Sequence, residues 1–382
     1  MDASLARMLF APRSVAIIGA SDDPSKTTSR PLQYLRNNGF SGTIYPVNPR
    51  SRTVLGERAF ASVEDVPEIP DHAFILLPAE AAIDAVIQCG RRGVKVATIL
   101  ASGFSEFGRE GQDREARLRE AARAHGVRLI GPSSLGIVNL HHSMVLTANA
   151  AFAESGLMRG GIFCASQSGS MIGALLSRGK ERGIGFASLV SVGGELDLGI
   201  GDLCEAGLED PHVTSFMLFL ENLRNAPALR RFAAKAAAAG KPVTALKLGR
   251  SAAAAELAVS HTGALSGEDD VADAFLADCG IARVETLDGL IEAAPLLSRL
   301  PIRSAGAARP RVAVVTTTGG GAAMVVDQLS IRGIAVEPPD NPTLAAIRAT
   351  GIDVAAARIV DLTLAGVRYE IMKGALEALL AS

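Results

Sequence analysis

The chain has 382 residues, of which 38 are Lys or Arg and 40 are Asp or Glu, giving a formal net charge of −2 at pH 7. This near-neutral balance provides no cationic field for nucleic acid or an anionic membrane, and aromatic residues make up only 4% of the chain. The sequence therefore predicts no nucleic-acid and no membrane partner. The length predicts two or three domains.

The N-terminal segment Met1–Pro12 has no long apolar run and no small-residue cleavage site, and no other stretch approaches a membrane span. The cysteines lie far apart, without the paired spacing of a metal site. They are Cys89, Cys164, Cys204 and Cys279. We interpret them as reduced core residues of a cytoplasmic protein, and we predict no metal centre.

Short β-branched runs alternate with longer Ala- and Leu-rich helical patterns, which is typical of parallel sheets with crossover helices and predicts an α/β fold. Residues 1–148 are predicted to form a first, doubly wound unit. Its predicted strands are Ser14–Ile18, Thr43–Val47, His72–Leu77, Lys95–Leu100 and Arg128–Ile130. Its predicted helices include Arg30–Asn38, Glu80–Arg91 and Arg109–His125.

Small and polar residues follow the strands of this unit, at the edge where open α/β sheets bind ligands. Backbone N–H groups and a cation after the first strand suit a phosphate, and three strand ends are predicted to meet in one crevice. The Gly-x-Ser turn is equally explained by tight-turn geometry, because the full Gly-x-Gly-x-x-Gly spacing is absent. The candidate cofactor-binding residues are Gly19, Ala20, Ser21, Lys26, Val47, Asn48, Pro49, Leu77, Pro78, Ser102, Gly103, Phe104, Ser105 and Glu106.

Residues 149–300 are predicted to form a second α/β unit. Its predicted strands are Ile162–Ala165, Ala187–Val192, Ser215–Leu220, Val243–Leu248 and Ile281–Val284. The first of them runs into Ser166, Gln167, Ser168, Gly169 and Ser170, and then into a helix that reaches about Lys180. Hydroxyls, a flexible glycine and free helix N–H groups together predict a phosphate-binding loop.

Residues 301–310 have the composition of a linker, and residues 311–382 are predicted to open a third unit with the strand Arg311–Thr316. Gly319, Gly320 and Gly321 follow that strand, ahead of a helix from Ala322 to about Arg332. Three glycines allow a backbone to approach an anion closely, although a mobile turn is a serious alternative. This unit has only two strands and two or three helices, so we expect either another chain to complete it or a longer protein.

His261 lies in a short polar break between an Ala-rich run and a new helical pattern, and it is the candidate for a reacting atom. A histidine becomes a nucleophile when one ring nitrogen donates to a carboxylate and the other stays unprotonated. Glu221, directly after the apolar strand Ser215–Leu220, is the candidate carboxylate because burial there is expected. The other five histidines are predicted to have surface or cap roles. They are His72, His125, His141, His142 and His212.

At this point the motifs resemble a known family. The second unit resembles the ligase domain of the succinyl-CoA synthetase α-subunit in Ser166-Gln167-Ser168-Gly169, Gly193-Gly194-Glu195, Glu221 and His261-Thr262-Gly263-Ala264. The first unit resembles that family's CoA-binding domain in Gly19-Ala20-Ser21, Val47-Asn48-Pro49, Gly103-Phe104-Ser105-Glu106, Gly131-Pro132 and Gly136-Ile137-Val138-Asn139. With Thr317–Gly321 on the same polypeptide, the chain is similar to the NDP-forming acyl-CoA synthetases, which include acetate:CoA and feruloyl-CoA types.

The resemblance implies a Rossmann-like CoA-binding domain followed by flavodoxin-like, succinyl-CoA-synthetase-type ligase domains. It also implies a reversible relay in which acyl-CoA and phosphate give an acyl phosphate, the acyl phosphate phosphorylates His261, and phosphohistidine phosphorylates ADP. Glu221 would orient the imidazole, and the loops at Ser166–Ser170 and Gly319–Gly321 would hold phosphate. The substrates would be CoA and a carboxylic acid, and an oligomer is expected.

Two departures from the family pattern affect these expectations. Ser133-Ser134 stands where the family usually has Asn-Cys, which bears on the contacts with CoA. No ATP-grasp domain is recognised, so ATP or ADP with Mg²⁺ would bind only through such a domain or subunit. The alternative is a non-catalytic CoA- or acyl-CoA-sensing module, such as the pseudo-synthetase part of a protein acyltransferase. Retention of both His261 and Glu221 favours the enzyme, and the missing glycine fingerprint disfavours a nicotinamide dehydrogenase.

Overall fold

The computed structural model describes residues 3–251, 253–254, 269–300 and 312–381. The chain divides into two compact units, Met1–Ile302 and Arg303–Ser382. The α/β fold class predicted from the sequence is confirmed. None of the described helices is both long and apolar enough to cross a membrane.

The first sheet has five strands in the order β2-β1-β5-β6-β7, and every pair is parallel. After β1 the chain builds β2 on one side and returns to build β5 on the other side, so the connections diverge at the carboxyl end of β1. Such a switch point opens a crevice for ligands. The first strands are β1 (Ser14–Ile18), β2 (Thr43–Val47), β3 (Thr53–Val54), β4 (Glu57–Arg58), β5 (His72–Ile75), β6 (Val96–Ile99) and β7 (Arg128–Ile130), and the first helices are α1 (Ala3–Phe10), α2 (Arg30–Asn37), α3 (Ala79–Arg92) and α4 (Gly108–His125).

The second sheet has seven strands in the order β14-β13-β12-β10-β11-β8-β9. Strand β8 is antiparallel to both of its neighbours, and the other pairs are parallel. The strands are β8 (Gly136–Asn139), β9 (Met144–Thr147), β10 (Arg159–Ser166), β11 (Phe186–Ser191), β12 (Ser215–Leu220), β13 (Val243–Lys247) and β14 (Ala282–Val284). The helices are α5 (Gly169–Glu181), α6 (Ile200–Gly207), α7 (Ala226–Ala238), α8 (Asp269–Asp278) and α9 (Leu287–Leu297).

The central strands of the second sheet are apolar because helices cover both faces, as in other parallel sheets. All residues of β12 are buried. On one face Phe216 packs against Phe163, with ring centroids 5.3 Å apart, and against Phe232 of α7 at 4.8 Å. Burial of one such side chain contributes about 1.5–3 kcal/mol. Phe10 of α1 contacts Phe163 from the other side at 5.3 Å, so α1 joins this core to the first sheet.

The unit Arg303–Ser382 has a small sheet in which β15 (Val314–Thr316) and β16 (Ile359–Asp361) pair in parallel. Its described helices are α10 (Gly319–Ser330), α11 (Asn341–Arg348) and α12 (Tyr369–Leu380). Apolar side chains from α11, α12 and β16, among them Ile347, Val360 and Ile371, form a core of its own.

The predicted strands are present, with ends that differ by at most a few residues, but two expectations need correction. The boundary at residue 148 stays a prediction, although β8 and β9, which precede it, pair with the second sheet. Val138 of β8 lies opposite Leu189 of β11, a pairing that local sequence cannot specify. The polar strand ends are not all neighbours, because β5 lies between β1 and β6.

The second corrected expectation is His72, for which a surface or cap role was predicted. Its side chain is fully buried at the start of β5, where its ring nitrogens contact the Met8 carbonyl at 3.1 Å and the Thr98 hydroxyl at 2.8 Å. The ring is buried because α1 covers this end of the strand. All four cysteine thiols are free; Cys89, Cys164 and Cys204 are buried as predicted, and Cys279 is half-buried.

Candidate functional site

The carboxyl ends of β1, β2 and β5 pack closely together and form the floor of the crevice in the first sheet. Gly19 has a φ of +89°, and a Cβ at this position would lie 2.8 Å from Cδ2 of Leu77. Only glycine satisfies both the backbone conformation and this close approach. The Gly19 N–H donates to the Val47 carbonyl at 2.9 Å, and Nδ2 of Asn48 donates to the Ala20 carbonyl at 3.0 Å. The ends of β1, β2 and β5 are therefore held together around Gly19.

The loop after Ser21 combines acidic residues with one exposed cation. Asp23 accepts hydrogen bonds from the N–H and hydroxyl of Ser25, at 3.0 and 2.7 Å, and these bonds lower the pKa of Asp23. Asp22 accepts from the Leu55 N–H at 2.6 Å. Both carboxylates are thus tied to backbone groups of the protein, whereas Lys26 is exposed.

The loop after β6 is also fixed by internal contacts. Gly103 has a φ of +98°, its N–H donates to Oε1 of Glu106 at 2.7 Å, and its carbonyl accepts from Arg114. Phe104 is fully buried, which anchors the middle of the loop. The exposed Ser102 and the half-buried Ser105 are therefore held in defined positions near this anchor.

A cavity of about 450 Å³ lies where this loop meets the second sheet. It combines seven predicted site residues from both sheets, namely Ser102, Ser105, Glu106, Ser168, Gly169, Ser170 and Glu221. It is also lined by residues that sequence reasoning did not nominate, which are Pro132, Ser133, Leu135, Gln167, Gly193, Gly194, Glu195, Asn222 and Arg224. The described lining does not include Gly19, Ser21, Lys26 or Asn48, which lie at the crevice of the first sheet.

The phosphate-binding loop predicted at the end of β10 has the geometry of a helix N-terminus that is open toward the cavity. The buried hydroxyl of Ser166 donates to the Ser168 carbonyl at 2.7 Å and fixes the turn. Ser168 is the N-cap of α5, and its side chain forms no capping hydrogen bond. Its hydroxyl lies 3.2 Å from the hydroxyl of Ser170. Two hydroxyls and the first N–H groups of α5 are thus arranged as anion sites usually are.

Glu221 leaves β12 at the edge of the cavity and is 8% exposed. Its backbone N–H donates to Oε1 of Gln167 at 2.5 Å, and the N–H of Asn222 donates to the same oxygen at 3.0 Å. The Gln167 amide therefore clamps the turn that carries the Glu221 carboxylate. Gln167 was seen only as part of the loop, because its reach across to the end of β12 depends on the neighbouring strand.

Glu195 accepts a hydrogen bond from the nitrogen of the same Gln167 amide. Nε2 of Gln167 donates to Oε1 of Glu195 at 2.5 Å. Burial raises the pKa of Glu195, while hydrogen bonds from Gln167 and the Ile200 N–H and the charge of Arg224 oppose that rise. Nη1 of Arg224 also donates to the Gly194 carbonyl at 2.8 Å. The motif Gly193-Gly194-Glu195 was part of the family resemblance, but the sequence alone assigned no role to its carboxylate.

Two parts of the predicted site cannot be placed against this cavity. His261 lies outside the described residues. Gly319–Gly321 lie in the other unit, where the hydroxyl of Thr316 donates to the Thr318 carbonyl at 2.7 Å and α10 begins at Gly319. This turn repeats the local design of Ser166 and Ser168. A Cβ on Gly319 or Gly320 would meet nothing within 4 Å among the described residues, so no packing contact there requires glycine.

Comparison with known proteins matches two parts of the chain to domain families. Residues 13–139 match the family described as CoA binding domain, and residues 159–297 match the Succinyl-CoA ligase like flavodoxin domain. The chain is 36% identical to acetate–CoA ligase (ADP-forming) I of Archaeoglobus fulgidus, over 85% of this chain and 46% of that protein. The chain thus spans less than half the length of that relative.

A subunit-sized relative is covered more completely. The chain is 33% identical to the α-subunit of acetate–CoA ligase (ADP-forming) II of Pyrococcus furiosus, over 89% of this chain and 72% of that subunit. Among solved structures, the dinucleotide forming acetyl-coenzyme A synthetase 1 of Ca. Korarchaeum cryptofilum, in complex with phosphate and ADP, matches with a TM-score of 0.86 and 26% identity, covering 100% of this chain and 87% of that chain. The chain therefore belongs to the family of ADP-forming acyl-CoA synthetases.

Proposed function

We propose that this chain is the CoA-binding and phosphohistidine-carrying part of an ADP-forming acyl-CoA synthetase. The observation that supports this most strongly is the shared cavity, which Ser102 and Ser105 of the first sheet line together with Ser168, Ser170 and Glu221 of the second. Its volume of about 450 Å³ is in the range of small-molecule sites. A thioester approaching from the first sheet and a phosphate held by α5 would meet there.

In the proposed first step, an oxygen of phosphate attacks the carbonyl carbon of an acyl-CoA. The C–S bond breaks, and CoA leaves as a thiolate that takes up a proton. The N-terminus of α5 with the hydroxyls of Ser168 and Ser170 would hold the phosphate oxygens, since its N–H groups and helix dipole favour an anion. The crevice around Gly19, Ser21, Lys26 and Asn48 would hold the CoA phosphates. The products are an acyl phosphate and CoA.

In the second step, an imidazole nitrogen of His261 would attack the phosphorus of the acyl phosphate and release the carboxylate. Glu221 would accept a hydrogen bond from the other ring nitrogen, which keeps the attacking nitrogen unprotonated. A third step, in which phosphohistidine phosphorylates ADP, would take place on an ATP-grasp domain or subunit that supplies Mg²⁺. Run in reverse, the relay makes acyl-CoA from a carboxylic acid, CoA and ATP.

The histidine assignment can be tested by phosphoryl transfer to the isolated chain. Incubation with radiolabelled acetyl phosphate should yield an acid-labile, base-stable phosphoprotein, because a phosphoramidate hydrolyses in acid. His261→Ala should abolish the label. His142→Ala is the matched control, since His142 is exposed and is not among the residues that line the described cavity, and it should label at the wild-type rate.

The Glu221 assignment is tested in the same reaction. Glu221→Gln should slow labelling about tenfold or more, because the amide can still occupy the turn but cannot stabilise a positively charged imidazole. Glu209→Gln, at an exposed position, should leave the rate unchanged. Label that survives His261→Ala would refute the histidine assignment. A wild-type chain that binds CoA but takes up no label would instead identify a CoA-sensing module.

A further inference from the structure

The side-chain amide of Gln167 lies between two sets of polar groups. One set donates hydrogen bonds to its oxygen, and the other set accepts hydrogen bonds from its nitrogen. On one side the N–H groups of Glu221 and Asn222 lie 2.5 and 3.0 Å from its oxygen. On the other side its nitrogen lies 2.5 Å from a Glu195 carboxylate oxygen and 3.1 Å from the Asn222 carbonyl. The first pair can only donate, and the second pair can only accept while Glu195 is ionised. The amide therefore has one favourable orientation.

Glu195 is itself held in place by several independent contacts. Its backbone has a φ of +54°, a left-handed conformation that non-glycine residues adopt only under structural constraint. The Ile200 N–H at the start of α6 donates to its carboxylate. A Cβ on Gly199 would lie 2.7 Å from Oε2 of Glu195, so the carboxylate occupies the space beside this glycine. The carboxylate is thus a fixed acceptor rather than a mobile surface charge.

We propose that Glu195 is a positioning residue for the phosphoryl-transfer site: its carboxylate fixes the Gln167 amide, and that amide fixes the backbone turn that carries Glu221. This inference rests on the proposed function for the role of Glu221, but its structural part does not. Without the anionic acceptor, the longer contact with the Asn222 carbonyl, at 3.1 Å, is left to hold the NH₂ group, so the amide rotates more readily and turns that group toward the N–H groups of Glu221 and Asn222. Those buried donors would then lack a partner, and the Glu221 carboxylate would lose its fixed direction.

The charged groups around Glu195 predict how the orientation of the Gln167 amide responds to pH. Arg224 lowers the pKa of Glu195, and Asp202 raises it, in addition to burial, which has the largest effect. Glu106 and Glu221 line the same cavity. Protonation of Glu195 would remove the anionic acceptor from Nε2 of Gln167 and leave the Asn222 carbonyl as the remaining close acceptor. Phosphoryl transfer should therefore fall on the acid side of its pH profile at a higher pH than an ordinary glutamate would give.

The test compares Glu195→Gln with wild type in the acetyl phosphate labelling reaction. The rate constant at saturating acetyl phosphate should fall about tenfold or more, as expected when a reacting group loses its fixed geometry. CoA affinity should change less than about twofold, because the turn does not bind CoA in the proposed scheme. The acid limb of the pH profile that belongs to Glu195 should disappear. Glu181→Gln, at an exposed position on α5, is the control.

A second measurement separates this proposal from the proposed function. Amide hydrogen exchange of the peptide around Glu221 and Asn222 should accelerate in Glu195→Gln, while peptides from the core of β12 keep their protection. This readout does not require catalysis, so it decides the structural part even if the wild-type chain takes up no label. Unchanged exchange of these two amides would overturn the proposal.

A paired substitution guards against a purely destabilising effect. In Gln167→Glu combined with Glu195→Gln, a carboxylate at position 167 accepts from the N–H groups of Glu221 and Asn222, and an amide at position 195 donates to it. The contacts with the two N–H groups and with residue 195 are thereby restored with the partners exchanged, and the longer contact with the Asn222 carbonyl is lost. Labelling should recover to within about threefold of wild type and exceed that of Glu195→Gln. A double variant no faster than Glu195→Gln would overturn the positioning role.

Discussion

His72 shows how strongly one buried side chain can couple this fold to pH. Nδ1 of His72 lies 3.1 Å from the Met8 carbonyl, which can only accept, so this nitrogen carries the proton. Nε2 then accepts from the Thr98 hydroxyl at 2.8 Å. Both nitrogens are satisfied in the neutral ring, and burial lowers the pKa of His72 to about 4. A second proton, on Nε2, would require the Thr98 hydroxyl to accept instead of donate and would place a positive charge in the core.

We predict that the free energy of unfolding decreases as pH falls from 7 to 5. The pKa of His72 is about 4 in the folded protein, and its ordinary value is about 6.5. At a pH between these two pKa values, the unfolded chain therefore binds more protons than the folded protein. By pH 5 this linkage removes about 2 kcal/mol of stability. Urea unfolding at both pH values measures it. In His72→Gln the pH-dependent loss should shrink by this amount, whereas His142→Gln should reproduce the wild-type loss. An equal loss in all three proteins would show that other groups control it.

At the scale of secondary-structure elements, the two edges of the first sheet should differ in function. Lys26 follows β1 at the carboxyl edge, and Lys95 precedes β6 at the amino edge, and both are exposed. If the crevice holds the CoA phosphates, Lys26→Ala should weaken CoA binding about three- to tenfold, as for one solvent-exposed charge contact. Lys95→Ala should change the affinity less than about twofold. Calorimetric titration with CoA measures both, and equal effects would show that CoA does not use this edge.

The same elements show what the sequence could and could not predict. The buried strands Ser14–Ile18 and Ser215–Leu220 were predicted with correct ends, because continuous apolar runs between turn residues specify parallel strands locally. The placement of β8 and β9 could not be predicted, because pairing with β11 is a non-local choice between two sheets. The loop at Ser168 was found because it is built from consecutive residues.

Side-chain partners across elements required the structure. Gln167 and Glu195 are 28 positions apart, and their 2.5 Å contact joins the end of β10 to the loop after β11. Only the parallel register of β10 with β12 brings Gln167 to the N–H of Glu221. The burial of His72 likewise depends on α1, which is remote in sequence. The roles assigned to His261 and Glu221 remain predictions until phosphoryl transfer is measured.

At the scale of the whole molecule, the family relationship predicts that the reaction steps are divided between this chain and a nucleotide-binding domain or subunit. The chain covers 72% of the α-subunit of the Pyrococcus furiosus ligase and 46% of the longer Archaeoglobus fulgidus ligase. We propose that the chemistry from acyl-CoA to phosphohistidine belongs to these 382 residues and the nucleotide step to an ATP-grasp domain or subunit. Phosphoryl transfer to ADP requires Mg²⁺ and positioned nucleotide phosphates, which such a domain would supply.

This division can be tested by following the label out of the phosphorylated chain. After labelling with acetyl phosphate and removal of excess reagent, ADP and Mg²⁺ alone should leave the phosphoprotein intact, because no group would place the ADP β-phosphate in line with phosphohistidine. Adding a separately produced ATP-grasp subunit from a related ligase should release the label as ATP. CoA and acetate should instead discharge the label as phosphate with formation of acetyl-CoA, because these steps are proposed to need only this chain. Rapid ATP formation without the added subunit would contradict the division, as would failure of CoA and acetate to discharge the label.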